Sequence, residues 1–238
     1  MRSSSDRPVV IVGAGLAGLS CAATLHRAGI PVVVIESSDG VGGRVRTDEV
    51  DGFLLDRGFQ VLLTAYPEIQ RQFNVDALKL EAFDPGALIH TERGEFELGD
   101  PLKKPSSLAP TLRTALAKSV GSPSDFARLL ALRYRLARTD VPDLLRGPDV
   151  ATIDALTTLG FSSKFINRFF RPLVGGIQLD LGLNSSARMF DTILKMLFSG
   201  SAAVPRDGMN AISQQLAQQI PENSIHLRVP VRSVSPQS

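Results

Sequence analysis

The stretch VVIVGAGLAGLSCAATLHRAGIPVVVIESSDGVGGRVRT, residues 9–47, decides the fold. Residues 8–12 form an uncharged, β-branched run suited to a buried parallel strand. Gly13, Ala14, Gly15, Leu16, Ala17 and Gly18 then spell G-x-G-x-x-G. In that pattern the first glycine permits the tight turn out of the strand. The second lets a pyrophosphate approach the backbone, and the third lets the following helix pack closely on the sheet. The helix runs to Arg27 or Ala28, with Gly29 where a C-terminal cap belongs. Its amino end offers free N–H groups and the positive end of a dipole, a site for an anion. Residues 31–35 make a second buried strand, ending at Glu36, eighteen residues after Gly18. A carboxylate there accepts from both hydroxyls of a ribose and repels a 2′-phosphate. The same glycines serving only a packed turn is the simpler alternative.

NAD and FAD both fit this far. The residues after Glu36 separate them. Gly40, Gly42, Gly43 and Arg44 form a second glycine cluster with a fixed cation beside it. RVRTDEVDGFLLDRG then reads as a hairpin turning at Asp51 and Gly52. Nicotinamide dehydrogenases go on into another helix at this point.

The extension E-x(6)-G-G-R, the hairpin and LDRGFQ resemble the flavin amine oxidoreductase superfamily, which includes monoamine oxidases, protoporphyrinogen oxidases and phytoene desaturases. LDRGFQVLLTAYPEIQ and FFRPLVGGIQLDLGLNSSARMF resemble segments of its phytoene-desaturase-like members. VPRDGMNAISQQLAQQI resembles the return helix of the family, with Asp207-Gly208 where Gly-Gly is common. IHLRVPVRSV resembles the strand pair that closes over the adenine, with Val231 where the backbone meets the base. The resemblance implies an α/β fold: a Rossmann-like FAD/NAD(P)-binding domain with an inserted, mainly helical substrate domain. It implies FAD as cofactor and an amine or small apolar substrate that yields hydride equivalents to the flavin. It also implies that Gly58, Phe59 and Gln60, with Asp56, shape the flavin edge; an ordinary strand end and turn is the alternative. No catalytic acid or base is assigned. Family members continue well past residue 238 and add a late FAD-binding segment. The alternative to an FAD-dependent oxidoreductase is therefore a catalytically inactive dinucleotide-binding fragment, a truncated product, or a half completed by a partner chain.

Domain boundaries follow from composition: residues 1–86 for the first part of the nucleotide domain, 87–202 for the insertion, and 203–238 for the return. The insertion opens with the hairpin ALIHTERGEFELGD and a Pro-rich linker, DPLKKPSSLAP. Helices are expected over residues 112–120, 124–138 after Ser122 and Pro123, 152–159 before Gly160, 162–170 stopped by Pro172, and from Ser185 or Ser186 to Ser199.

Of the 238 residues, 43% are hydrophobic and the net charge is +2, which suits a globular chain and gives nucleic acid no electrostatic footprint. The single cysteine, Cys21, allows no intramolecular disulfide, and a cytoplasmic or membrane-peripheral location is expected. Cys21 is read as a core thiol. His26, His90 and His226 are too scattered for metal ligation, so no metal is assigned. Phe161, Phe165, Phe169 and Phe170 recur at helical spacing and are read as core. Arg113, Lys118, Arg128, Arg133, Arg135 and Arg138 lie among leucines and alanines. They suit either an acidic membrane surface or the solvated face of a helix pair, and the solvated face is the commoner arrangement.

Overall fold

A computed structural model describes residues 7–146 and 149–235. The chain begins with β1 (Val9–Val12), α1 (Leu16–Arg27) and β2 (Val32–Ile35), followed by β3 (Thr47–Val50), β4 (Phe53–Asp56), β5 (Leu62–Leu63), α2 (Pro67–Gln72) and β6 (Leu80–Ala82). Next come β7 (Gly86–Thr91), β8 (Gly94–Gly99), α3 (Leu108–Ala117), α4 (Pro123–Arg138), α5 (Val141–Leu144), α6 (Thr152–Thr158), α7 (Ser163–Phe165), α8 (Arg171–Gln178) and α9 (Ala187–Ser199). The chain closes with β9 (Ala202–Pro205), α10 (Asn210–Ala217) and β10 (Ile225–His226). It divides into two compact units, Met1–Ala82 with Ala202–Ser238, and Phe83–Ser201.

In the first unit β1, β2 and β10 make a parallel sheet in the order β1-β2-β10. Val32 and Val34 turn into a core with Ala14, Leu19, Ala22, Ala23, Leu216 and Ile220, so α1 and α10 pack together over the sheet. Burying this set supplies the unit's main driving force, at about 1.5–3 kcal/mol for each large aliphatic side chain. The β3–β4 hairpin turns at Asp51 and Gly52, both at positive φ, as the Asp-Gly pair predicts. A second core of Val45, Leu62, Ile69, Leu78, Met209 and Ile212 sits under the antiparallel sheet β5-β9-β6. Cys21 is exposed, not core as expected: the buried face of α1 carries Leu19, Ala22 and Ala23, and position 21 points off that face.

The second unit packs its helices around Phe161, Phe165, Phe170 and Phe190, with Leu132, Leu136, Leu156 and Leu194. Two expectations fail here. The third helix begins at Leu108, not 112, and ends at Lys118 in the left-handed region, so residues expected as linker are its first turn. Pro110 is tolerated there because first-turn amides have no intrahelical acceptor. Nor does Pro172 stop a helix. Residues Ile166–Phe170 form a π-helical turn, and α8 continues from Arg171 with the proline in its first turn. The wider turn accommodates the missing N–H and the ring without ending the element.

Polar contacts fix the same unit. Ser122 caps α4, and Asp125 completes the capping box. The Asp125 carboxylate is fully buried and also accepts from the Ser162 N–H and Oγ, both at 2.8 Å, which ties α4 to the start of α7.

Candidate functional site

The turn after β1 requires glycine at two of its three glycine positions. Gly13 sits at φ +98 and donates its N–H to the Ile35 carbonyl at 2.8 Å. A Cβ on Gly18 would lie 2.0 Å from the Gly13 carbonyl oxygen, so the helix can start here only with glycine at that position. A Cβ on Gly15 would meet nothing within 4 Å. Space therefore lies open before Gly15, at the N-terminus of α1, where no side chain caps the helix. Ala14 is buried, and Leu16 and Ala17 open α1. Basic residues occur only at the other end of α1, where His26 and Arg27 complement the dipole.

Glu36 closes one side of this turn. Its Oε2 accepts from the Ala14 N–H at 2.7 Å, and its Oε1 from the Ser38 N–H at 2.8 Å. Burial alone would raise its pKa. The Ala14 and Ser38 amides, with the Ser37 and Ser38 hydroxyls, outweigh it and hold the carboxyl below the usual carboxylate range. The group is ionised at neutral pH, and its Oε1 also accepts from the Ser37 hydroxyl at 3.3 Å.

The second glycine cluster lies against the first. The Gly42 N–H donates to the Ala14 carbonyl at 2.8 Å, and Gly15 and Gly42 form an isolated parallel bridge. Gly42 and Gly43 both have positive φ. A Cβ on Gly43 would sit 3.5 Å from the Gly15 Cα, so the two loops face each other backbone to backbone. Arg44 is exposed and has no ion pair among the described residues.

Three contributors were not singled out from the sequence. Arg46 is ion-paired with Asp39 at 2.7 Å and packs on Gly40. Asn210 and Ser213, on α10, approach Gly42 so closely that a Cβ there would lie 2.9 and 3.0 Å from their side-chain oxygens. The Asn210 Oδ1 is buried without a hydrogen-bond partner among the described residues. The second arginine of GGRVR is a readable signal; Asn210 and Ser213 are 168 residues or more from Gly42 and give none.

The remaining predicted residues stand apart from this junction. A Cβ on Gly58 would lie 2.4 Å from the Arg44 carbonyl oxygen, which accounts for that glycine by packing. Asp56 accepts from the Thr47 hydroxyl and from the Met209 N–H at 3.0 Å, tying the hairpin to α10. Phe59 and Gln60 are exposed, and among the described residues no hydrogen bond joins them to the glycine loops. The expected closing strand pair around Val231 does not form: only Ile225–His226 pairs with β2. Arg228 takes φ +60 and Pro230 has no N–H, so the ladder stops; the Val229 N–H instead reaches the Glu36 carbonyl at 2.9 Å. Val231 is 38% exposed in the segment that follows.

A parallel sheet, a G-x-G-x-x-G turn and an ionised acid closing that turn define a dinucleotide-binding α/β protein. The family model for flavin containing amine oxidoreductases matches residues 16–238, and the chain belongs to that family. It is 28% identical to putrescine oxidase from Kocuria rosea over 257 aligned positions, covering 96% of this chain and 49% of that protein. It is 33% identical to a phytoene desaturase from Cercospora nicotianae over 102 positions, covering 40% of this chain and 16% of the other. A redesigned putrescine oxidase of known structure superposes with a TM-score of 0.66 at 22% identity, over 95% of this chain and 51% of that one. The chain thus spans about half the length of the putrescine oxidases it matches.

FAD is the cofactor that membership assigns, and the residues present fit it. The open backbone at Gly15 admits a diphosphate, Gly43 faces it without a side chain, and Glu36 is held ionised beside the turn.

Proposed function

We propose that this chain carries the FAD-binding portion of an oxidoreductase that takes hydride equivalents from an amine or a small apolar substrate. The observation that carries the reading is the meeting of the two glycine loops beside Glu36. In this reading the amides at the start of α1 bind the diphosphate, and Arg44 neutralises it. Glu36 takes the ribose hydroxyls. Arg46, locked to Asp39, keeps the second loop in place. Bound FAD supplies the acceptor for the hydride equivalent. The chain's own part is to bind it, orient it and keep water from it. The helical unit, Phe83–Ser201, is read as substrate-side, supported by the resemblance of residues 169–190 to a phytoene-desaturase-like segment. A cytoplasmic location belongs to the same proposal, supported by the single cysteine.

A second reading is a dinucleotide-binding chain that turns over only when a partner polypeptide completes it. What supports it is β1, the end strand of its sheet, where Val9, Val10 and Val12 are 41–58% exposed. An apolar, unpaired strand edge is a pairing surface.

Anaerobic reduction separates the two. Loss of the oxidised flavin absorption on adding a primary amine or a polyene supports the first reading. A flavin that stays oxidised with both substrate classes, in a chain that binds FAD, contradicts the first and supports the second.

A further inference from the structure

Helix α3 is docked on its own domain by its polar side. The Thr114 hydroxyl, 2% exposed, donates to the Glu97 carbonyl at 2.6 Å, and the Thr111 Oγ1 accepts from the Gly99 N–H at 2.9 Å. The apolar side faces outward. Leu108, Leu112 and Leu116 follow one another at i, i+4 and i+8, on one face over successive turns. They are 51, 53 and 73% exposed, and Leu102 in the preceding segment is 79% exposed. A globular domain ordinarily orients an amphipathic helix the other way.

The chain segment that carries this face is basic, although Glu95 and Glu97 are exposed on β8, the strand against which α3 packs. Residues 101–124 hold Lys103, Lys104, Arg113 and Lys118, and no carboxylate. Lys103 is spent on the Leu197 and Gly200 carbonyls at the end of α9, and Lys104 on Asp84 at 2.7 Å. Arg113 and Lys118 have no ion pair among the described residues, and the Lys164 Nζ lies 3.4 Å from the Lys118 carbonyl. The neighbouring helix differs. Arg128 lies 3.9 Å from Asp125, Arg133 pairs with Asp100, Arg135 with Asp191, and Arg138 lies over the Tyr134 ring. Among the described residues, the cations of the basic run across α3 and α4 without an ion pair or ring contact are therefore those beside the exposed leucines.

We propose that α3 docks on an anionic lipid bilayer. Leu108, Leu112 and Leu116 enter the boundary between headgroups and acyl chains, while Arg113, Lys118 and Lys164 meet lipid phosphates and carboxylates. An outward leucine row flanked by uncompensated cations is the pattern of an interfacial helix. A second copy of the chain packed through the same α3 face would set Arg113 and Lys118 against like charges, since residues 101–124 hold no carboxylate. The proposal does not depend on the redox reading above.

The test is co-sedimentation of the whole chain with vesicles of phosphatidylcholine containing phosphatidylserine, and with phosphatidylcholine alone. The protein should pellet with the anionic vesicles and be released by salt. Arg113→Gln/Lys118→Gln should weaken binding about fivefold per cation removed. Leu112→Ser/Leu116→Ser should weaken it roughly tenfold or more. All these side chains are exposed, so both variants should keep the far-ultraviolet circular dichroism of the parent. A wild-type chain that stays in the supernatant overturns the proposal, as do variants that pellet like the parent. So does a leucine variant that turns an oligomer into a monomer while vesicle binding is unchanged, because the face would then belong to a second copy.

Discussion

Glu36 has one oxygen on the Ala14 amide and the other on the Ser38 amide, so its carboxylate shapes the turn, and in the proposed reading it also accepts from a ribose. Glu36→Ala should weaken FAD about ten- to a hundredfold, since a charge-assisted hydrogen bond is worth roughly 1.5–3 kcal/mol. Fluorescence titration of the apo-protein measures this, and equal affinity for variant and parent would remove the ribose assignment. The pKa of Glu36 is lowered in the fold. Its contribution to stability is thus complete above the unfolded carboxyl value of about 4.3 and disappears as pH falls through the lower folded value. Urea midpoints followed downward from neutral pH should drop in that window, and by less in Glu36→Gln. Gly15→Val makes a separate point. Gly15 has φ −74, ordinary for any residue, and its Cβ would meet nothing in the protein. The variant should fold like the parent and still lose FAD more completely than Glu36→Ala. If a folded Gly15→Val chain bound FAD normally, the diphosphate would lie elsewhere.

Elements differ in how much of them could be read in the sequence. β1, α1, β2 and the β3–β4 hairpin follow from local chemistry: β-branched runs, glycines at positive φ and an Asp-Gly turn, but β1, expected as a buried strand, lies at the sheet edge with Val9, Val10 and Val12 exposed. The start of α3 and the passage through Pro172 did not, because prolines near a helix start are compatible with both loop and helix. Packing against β8 and the phenylalanine core decides between them. Cys21 was misplaced for a related reason, since apolar neighbours in sequence do not say which face of a helix is buried. The α10 wall behind Gly42 is contributed across a long sequence separation, which no spacing rule reaches. Asp125 gives the sharpest test at this scale. Its pKa is lowered; burial would raise it, but hydrogen bonds from Ser162 and Ser122 prevail. Asp125→Ala leaves the part-buried Ser122 and Ser162 N–H groups unpaired and should destabilise the chain by roughly 1–3 kcal/mol. A loss below about 1 kcal/mol in urea unfolding would mean that the joint between α4 and α7 carries little of the stability.

At the scale of the whole molecule, the family and the α/β nucleotide fold were legible from residues 9–47 and the later motifs, whereas the closing segment around Val231 was not. Arg228 and Pro230 end the ladder there by backbone geometry that the resemblance masked. The β1 edge has a consequence for association. Val10 and Val12 are 57 and 58% exposed on β1, whose outer edge pairs with no strand among the described residues. The chain should therefore elute larger as its concentration rises, and Val10→Lys should shift it toward monomer. The central claim is that two glycine loops and Glu36 hold the ADP half of FAD. Calorimetric titration with FAD, repeated in the presence of ADP and then with NAD in place of FAD, tests it most directly. The account predicts saturable FAD binding that ADP displaces and NAD matches poorly. A folded chain that takes up no FAD, or FAD binding that ADP leaves untouched, would contradict it.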